Sequence, residues 1–210
     1  MVITVNNPVL SVHDIKISSI DGKEHMLAEF SGYVCLHVNI ATKTGYVPKT
    51  KKLWSYARTA KHLFELQKLH EMFKDNKFTV IGYPCNQFHN MEQGTNEEIL
   101  ENIKSTYPFV TFPISEKINV NGPDEHDVWR FLKGDQVRAV DDTAADTSKL
   151  ANDGQNKAGG SVMRIPSNYE KFITNRHGKQ YWRFNWAESP ISPALTVGSP
   201  SVIEIIKEIL

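Results

Sequence analysis

The sequence predicts an α/β domain with a mixed central sheet and helices on both faces, and three observations carry that prediction. Two runs, YVCLHVNIA at 33–41 and KFTVIGYP at 77–84, are too uniformly apolar to be half-exposed strands, so they read as central strands buried on both faces. Between them, TAKHLFELQKLHEMFKDN places Leu63, Leu66, Leu69 and Phe73 at helical spacing with Lys and Glu on the other side, which makes a β-α-β unit. Further helical and hairpin patterns follow in an order that suits a layered α/β architecture.

Taken along the chain, HDIKISSIDGKEHMLAEF alternates apolar residues around Asp21-Gly22, a favoured two-residue turn, and predicts an N-terminal β-hairpin. TNEEILENIKSTY has Thr95 followed three residues later by Glu98, the spacing of a capping box that opens a helix. DEHDVWRFLKG is a second helix, stopped by Gly134. YEKFITNRHGKQYWRF reads as a hairpin turning near His177-Gly178, and SPSVIEIIKEIL as a C-terminal amphipathic helix. There are no internal repeats, and 210 residues suit one domain over 1–210.

Composition excludes several classes of function. Lys+Arg and Asp+Glu both number 24, so no global field favours nucleic acid or a membrane surface. No apolar run has the length of a membrane span, and MVITVNNPVLSVHD lacks the regions of a signal peptide. The expectation is a soluble, cytoplasmic protein. The two cysteines, Cys35 and Cys85, form no CxxC, in keeping with a reducing compartment. His37 and His89 have no ligand partners at metal spacing, and His62 and His70 stand eight residues apart on a helix that otherwise reads as solvated. No metal site is expected.

Several longer motifs are more specific. YPCNQF at 83–88, EQGTNEEI at 92–99, TFPISEKINVNGP at 111–123, SNYEKFITNRHGK at 167–179 and VNIATKTG at 38–45 closely resemble the glutathione peroxidase family, from about Val12 to the C-terminus. The resemblance implies a thioredoxin-like three-layer sandwich. It also implies a peroxidatic cysteine or selenocysteine where this chain carries Thr44, and it matches Gln87 and Asn168 to the amides that hydrogen-bond the reactive atom. The family's tryptophan is replaced by Ser167, and Ser105 stands where thioredoxin-dependent members carry a resolving cysteine.

Thr44 cannot do the family's chemistry. The reactive atom must take an oxygen from the peroxide and be reduced again, which sulfur and selenium do and a hydroxyl oxygen does not. An internal threonine also lacks the terminal amine that activates nucleophilic threonines. Its expected role is structural, as a helix cap worth about 1 kcal/mol. Gln87 and Asn168 have a second reading as side chains that satisfy backbone groups at strand ends. Cys85 is the alternative nucleophile, set against a buried, inert thiol, and Cys35 reads as core.

Two segments, at about 46–62 and 135–162, are longer than the resemblance implies. From Lys43 to Lys61 there are six basic residues and no acidic one, interleaved with Trp54 and Tyr56. One reading is a longer helix entrance with a solvated face. The other is a docking surface in which Lys49, Lys51, Lys52 and Arg58 ring the two aromatics and meet an acidic protein rather than nucleic acid. The second segment is polar and free of aromatics, and loop is its default.

Two functions are therefore expected. The first is a catalytically inactive family member that acts as a structural or binding subunit of a larger assembly, with a cytoskeletal, ciliary or organellar complex as its setting and no cofactor. The alternative is a thiol peroxidase of the oxidative-stress response that uses Cys85, with glutathione or thioredoxin as reductant.

Overall fold

The computed structural model describes residues 11–43, 54–134, 164–196 and 198–210, with the backbone alone for 54–58. Thr44, Lys49, Lys51, Lys52 and the segment 135–162 lie outside the described residues, as do the side chains of Trp54, Tyr56 and Arg58. Four strands form one sheet in the order β2-β1-β3-β4: β1 is Val34–Ile40, β2 Phe78–Pro84, β3 Lys171–Thr174 and β4 Gln180–Phe184. β1 and β2 run parallel, with Val34 opposite Phe78 and Ile40 opposite Pro84. β3 lies antiparallel to β1, and β4 to β3.

The parallel pair needs a crossover, which α1 supplies over Trp54–Phe73. Side chains alternate across each strand, so β1 feeds two cores. Leu36, Val38 and Ile40 pack with Leu63, Leu66 and Leu69 of α1, Ile99 and Ile103 of α2 (Asn96–Thr106), and Ile205 and Ile206 of α4 (Val202–Ile209). Cys35 packs with Ile81 and Tyr83 of β2, Phe172 of β3 and Trp129 of α3 (Asp127–Lys133). This is the mixed sheet with covered faces that the sequence predicts.

Helix ends follow their capping signals. Thr95 and Glu98 form a capping box at α2, and Ser201 and Glu204 form another at α4. Gly134 closes α3 at φ 78°, a left-handed conformation that costs glycine little. α1 begins at Trp54, ahead of the predicted start, so part of the first lengthened segment is helix.

Two expectations need correction. The N-terminal hairpin is only a turn: Ser19 N–H donates to the Lys23 carbonyl at 2.8 Å, but the second arm winds into a 3-10 helix, Met26–Phe30. The first arm pairs elsewhere, with Ser19 bridged to Ser115 and Ile20 N–H donating to the Ile114 carbonyl at 2.9 Å. Met26 and Leu27 are drawn into the second core, which an extended arm would not allow. The polar face of α1 is also not wholly solvated, because His62, Glu65 and Gln67 are buried. Gln67 holds Thr111 through two hydrogen bonds of 2.7 and 2.9 Å, and Ser189 donates to Glu65 at 3.0 Å.

Candidate active-site region

The site region forms where β1 ends. Asn39 ties the turn at 167–170 to the strand, donating to the Ser167 carbonyl at 2.9 Å and accepting from the N–H groups of Glu170 and Tyr169 at 2.9 and 2.7 Å. Tyr169 takes φ +71°, a conformation uncommon for a bulky residue, and its hydroxyl donates to the Ala41 carbonyl at 2.6 Å. The His62 ring stacks on the tyrosine, with centroids 4.3 Å apart. Asn168 is thereby fixed beside the strand end and 5% exposed.

Thr42 is the most heavily anchored residue of the region. Its N–H and hydroxyl both donate to the Glu92 carboxylate, the hydroxyl at 2.8 Å. Asn102 donates to that hydroxyl at 3.0 Å, and Tyr107 donates to the Thr42 carbonyl at 3.0 Å. Three residues, Glu92, Asn102 and Tyr107, thus hold Thr42, two positions before Thr44. Glu92 is fully buried, and burial pushes its pKa up to about 7, against the opposing pull of the Thr42 donors, Lys43 and Lys117.

That raised value fixes a sign. The unfolded chain ionises Glu92 near the ordinary value of 4.5, whereas the folded chain holds the proton to about pH 7. Stability from this group is therefore fully present below the unfolded value and lost as pH rises through the folded one, an effect of about 3 kcal/mol. Glu92→Gln is expected to flatten the pH dependence of stability across this window. Urea unfolding of both proteins at a series of pH values checks it; parallel curves would show that Glu92 titrates normally.

The candidate residues make different contacts. Cys85 and Gln87 lie together, with Sγ 3.7 Å from Gln87 Oε1. Gln87 holds a loop: its oxygen accepts from Val120 and Asn121 N–H at 2.9 and 3.0 Å, and its amide donates to the Asn121 carbonyl at 2.7 Å. Asn168 instead directs its Nδ2 to the Met91 sulfur at 4.0 Å, and its buried Oδ1 has no partner among the described residues. Met91 is joined to the strand end by its carbonyl, which accepts from Lys43 N–H at 3.2 Å. Ser167 contributes its carbonyl to Asn39.

Cys85 has no exposed surface, and burial raises its thiol pKa against opposing backbone donors. Cys35 is fully buried too, its thiol pushed up to about 12 by desolvation. His37 sits between Tyr83 and Thr174 at 2.8 and 3.0 Å and is held neutral, its pKa lowered to about 3 by burial. Among the described residues, no group of three or more His, Cys, Asp or Glu is placed to hold a metal. No helix among them is long and apolar enough to cross a membrane. Sequence reasoning missed Met91 and the anchoring role of Glu92. Glu92 opens a recognised motif, but its contact with Thr42 spans 50 residues.

Fold and motifs together define a thioredoxin-fold protein of peroxidase type. The glutathione peroxidase family model matches residues 12–133, and the chain belongs to that family. It is 34% identical over 196 residues to the glutathione peroxidase-like peroxiredoxin HYR1 of Saccharomyces cerevisiae, covering 92% of this chain and 96% of the relative. It is 32% identical over 180 residues to the hydroperoxy fatty acid reductase gpx1 of Synechocystis, covering 86% and 89%. The crystal structure of Trgpx in apo form superposes with a TM-score of 0.58 at 25% identity, covering 96% of each chain. The crystal structure of T. cruzi GPX1 does so at 0.56 and 23% identity, covering 95% of this chain and 94% of the other.

Proposed function

We propose that this family member does not turn over hydroperoxides and uses the peroxidase scaffold to bind a protein partner. The observation that carries the reading is the state of its sulfur. The sequence holds two cysteines, both are fully buried, and burial raises both thiol pKa values, whereas attack on a peroxide needs an accessible thiolate. Thr44 adds no redox-capable atom. The basic, aromatic segment containing Lys49, Lys51, Lys52, Trp54, Tyr56 and Arg58 is the proposed contact, with an acidic protein surface as its partner within a larger cytoplasmic assembly.

A second reading is favoured by the relatives, which are named as glutathione peroxidase-like peroxiredoxins and a hydroperoxy fatty acid reductase. In it Cys85 is the nucleophile, reached when the loop held by Gln87 opens, and glutathione or thioredoxin returns the thiol. One experiment separates the two. Purified protein and its Cys85→Ser variant are assayed with hydrogen peroxide and a lipid hydroperoxide, under glutathione and thioredoxin regeneration, beside a cysteine-bearing relative. No turnover above the uncatalysed rate is expected. Robust turnover lost in Cys85→Ser would replace the binding-only reading with the second.

A further inference from the structure

We infer that the groove between α2 and the turn at Asp21-Gly22 is a docking site for the basic, aromatic segment Lys49–Arg58 of a second copy of this chain, so that copies associate head to tail. Two adjoining clefts, of about 450 and 560 Å³, share Ser19, Ile20, Asp21, Leu100 and Lys104 in their walls and so form one groove. Its floor is apolar. Met26, Ile103, Phe112 and Ile114 line the first cleft, each at most 8% exposed, while Phe30, Leu100 and Val110 are only partly buried and present apolar surface to it.

The rim is negative. Asp21, Glu97 and Glu101 are exposed, and Glu116 is half-buried, with one oxygen accepting from Ser18 N–H at 3.0 Å. Lys23 and Glu29 neutralise each other in an ion pair of 2.5 Å. Among the lining residues this leaves the four carboxylates of Asp21, Glu97, Glu101 and Glu116 against the one cation of Lys104. An apolar trough with such a rim selects a ligand that brings apolar side chains and positive charge together.

The chain itself carries a segment of that chemistry. KTKKLWSYAR at 49–58 holds the four cations Lys49, Lys51, Lys52 and Arg58 and no acid, together with Leu53, Trp54 and Tyr56. The whole chain balances 24 Lys+Arg with 24 Asp+Glu, so copies carry no net charge that would hold them apart. Groove and segment are different surfaces, so the contact is heterologous and repeats from copy to copy. The inference rests on the reading of segment 49–58 as a contact surface, and it names a second copy as the acidic partner. It holds whether or not Cys85 is reactive.

Sedimentation equilibrium of the full-length protein, up to about 100 μM, tests this. The average mass is expected to rise with concentration, and association to weaken about tenfold at high salt, where exposed charges are screened. Lys51→Glu/Lys52→Glu reverses the segment and keeps the groove; Glu97→Lys/Glu101→Lys does the converse. Each variant alone sets like charges together and is expected to stay monomeric. Mixed in equal amounts, the two set opposite charges together again, and association is expected to return. Leu100→Gln leaves every charge in place and strips part of the apolar wall, and it is expected to weaken association about tenfold. Association that survives Glu97→Lys/Glu101→Lys or Leu100→Gln, or a mixture that stays monomeric, overturns the proposal. A wild-type protein that is monomeric throughout overturns it alone, leaving another protein's acidic surface as the partner of the segment. Association that survives Lys51→Glu/Lys52→Glu also removes the segment from the proposed function.

Discussion

Trp129→Ala is expected to lower the unfolding free energy by about 3–5 kcal/mol, the range for truncating a large buried aromatic. Trp129 has no exposed surface and sits edge-on to Tyr83 and Phe172, with ring centroids 5.7 and 5.6 Å apart. Its indole Nε1 has no hydrogen-bond partner among the described residues, so the loss is one of packing and cavity formation. α3 spans only seven residues, too few to be stable on local propensity, and depends on tertiary contacts. Trp129→Phe keeps much of the ring area and is expected to lose clearly less. Chemical denaturation measures both. A loss below about 1 kcal/mol for alanine would mean that the neighbours collapse into the space.

Arg183→Met is expected to cost about 3 kcal/mol at neutral pH, because it strands a buried carboxylate. The Glu170 side chain is 3% exposed, and its Oε1 accepts from Arg183 Nε and Nη2, each at 2.8 Å. Burial raises the Glu170 pKa, and the guanidinium is the largest influence opposing it. Without Arg183 the folded-state pKa climbs further. A raised carboxylate pKa means stability present at low pH and lost as pH rises, so the cost should shrink as pH falls and Glu170 takes up a proton. Adding Glu170→Gln to Arg183→Met should recover part of the loss, and a double-mutant cycle reads the coupling. A cost independent of pH would show that Arg183 acts instead through its guanidinium over the Phe172 ring, whose centroid lies 5.2 Å from the guanidinium carbon.

The two predictions fall on opposite sides of what the sequence discloses. Trp129 stands in DEHDVWRFLKG, which the sequence already marks as a helix. Glu170 and Lys171 stand in the polar-looking stretch SNYEKF, yet Lys171 is fully buried and donates to the Tyr169 carbonyl at 2.7 Å. Charged residues are rarely buried without partners, and those partners are backbone carbonyls and side chains that no local pattern specifies.

Local physics was enough for the elements whose signals are local. Uniform apolar runs determined β1 and β2, the spacing of Thr95 to Glu98 determined the start of α2, and Gly134 the end of α3. The family motifs, with Thr44 in place of a sulfur or selenium residue, were likewise legible, because identity at a position needs no coordinates. Tertiary structure decided what depends on distant partners. The arms around Asp21-Gly22 have strand periodicity but exchange their hairpin for pairing with 114–116 and for burial of Met26 and Leu27. Glu92 reaches Thr42 across 50 residues, His62 stacks on Tyr169, and the Asn168 amide meets Met91. Periodicity reports which face of an element is apolar. Which buried polar groups satisfy one another is fixed only when the chain closes, because each unmade hydrogen bond in a dry interior costs more than any local preference gains.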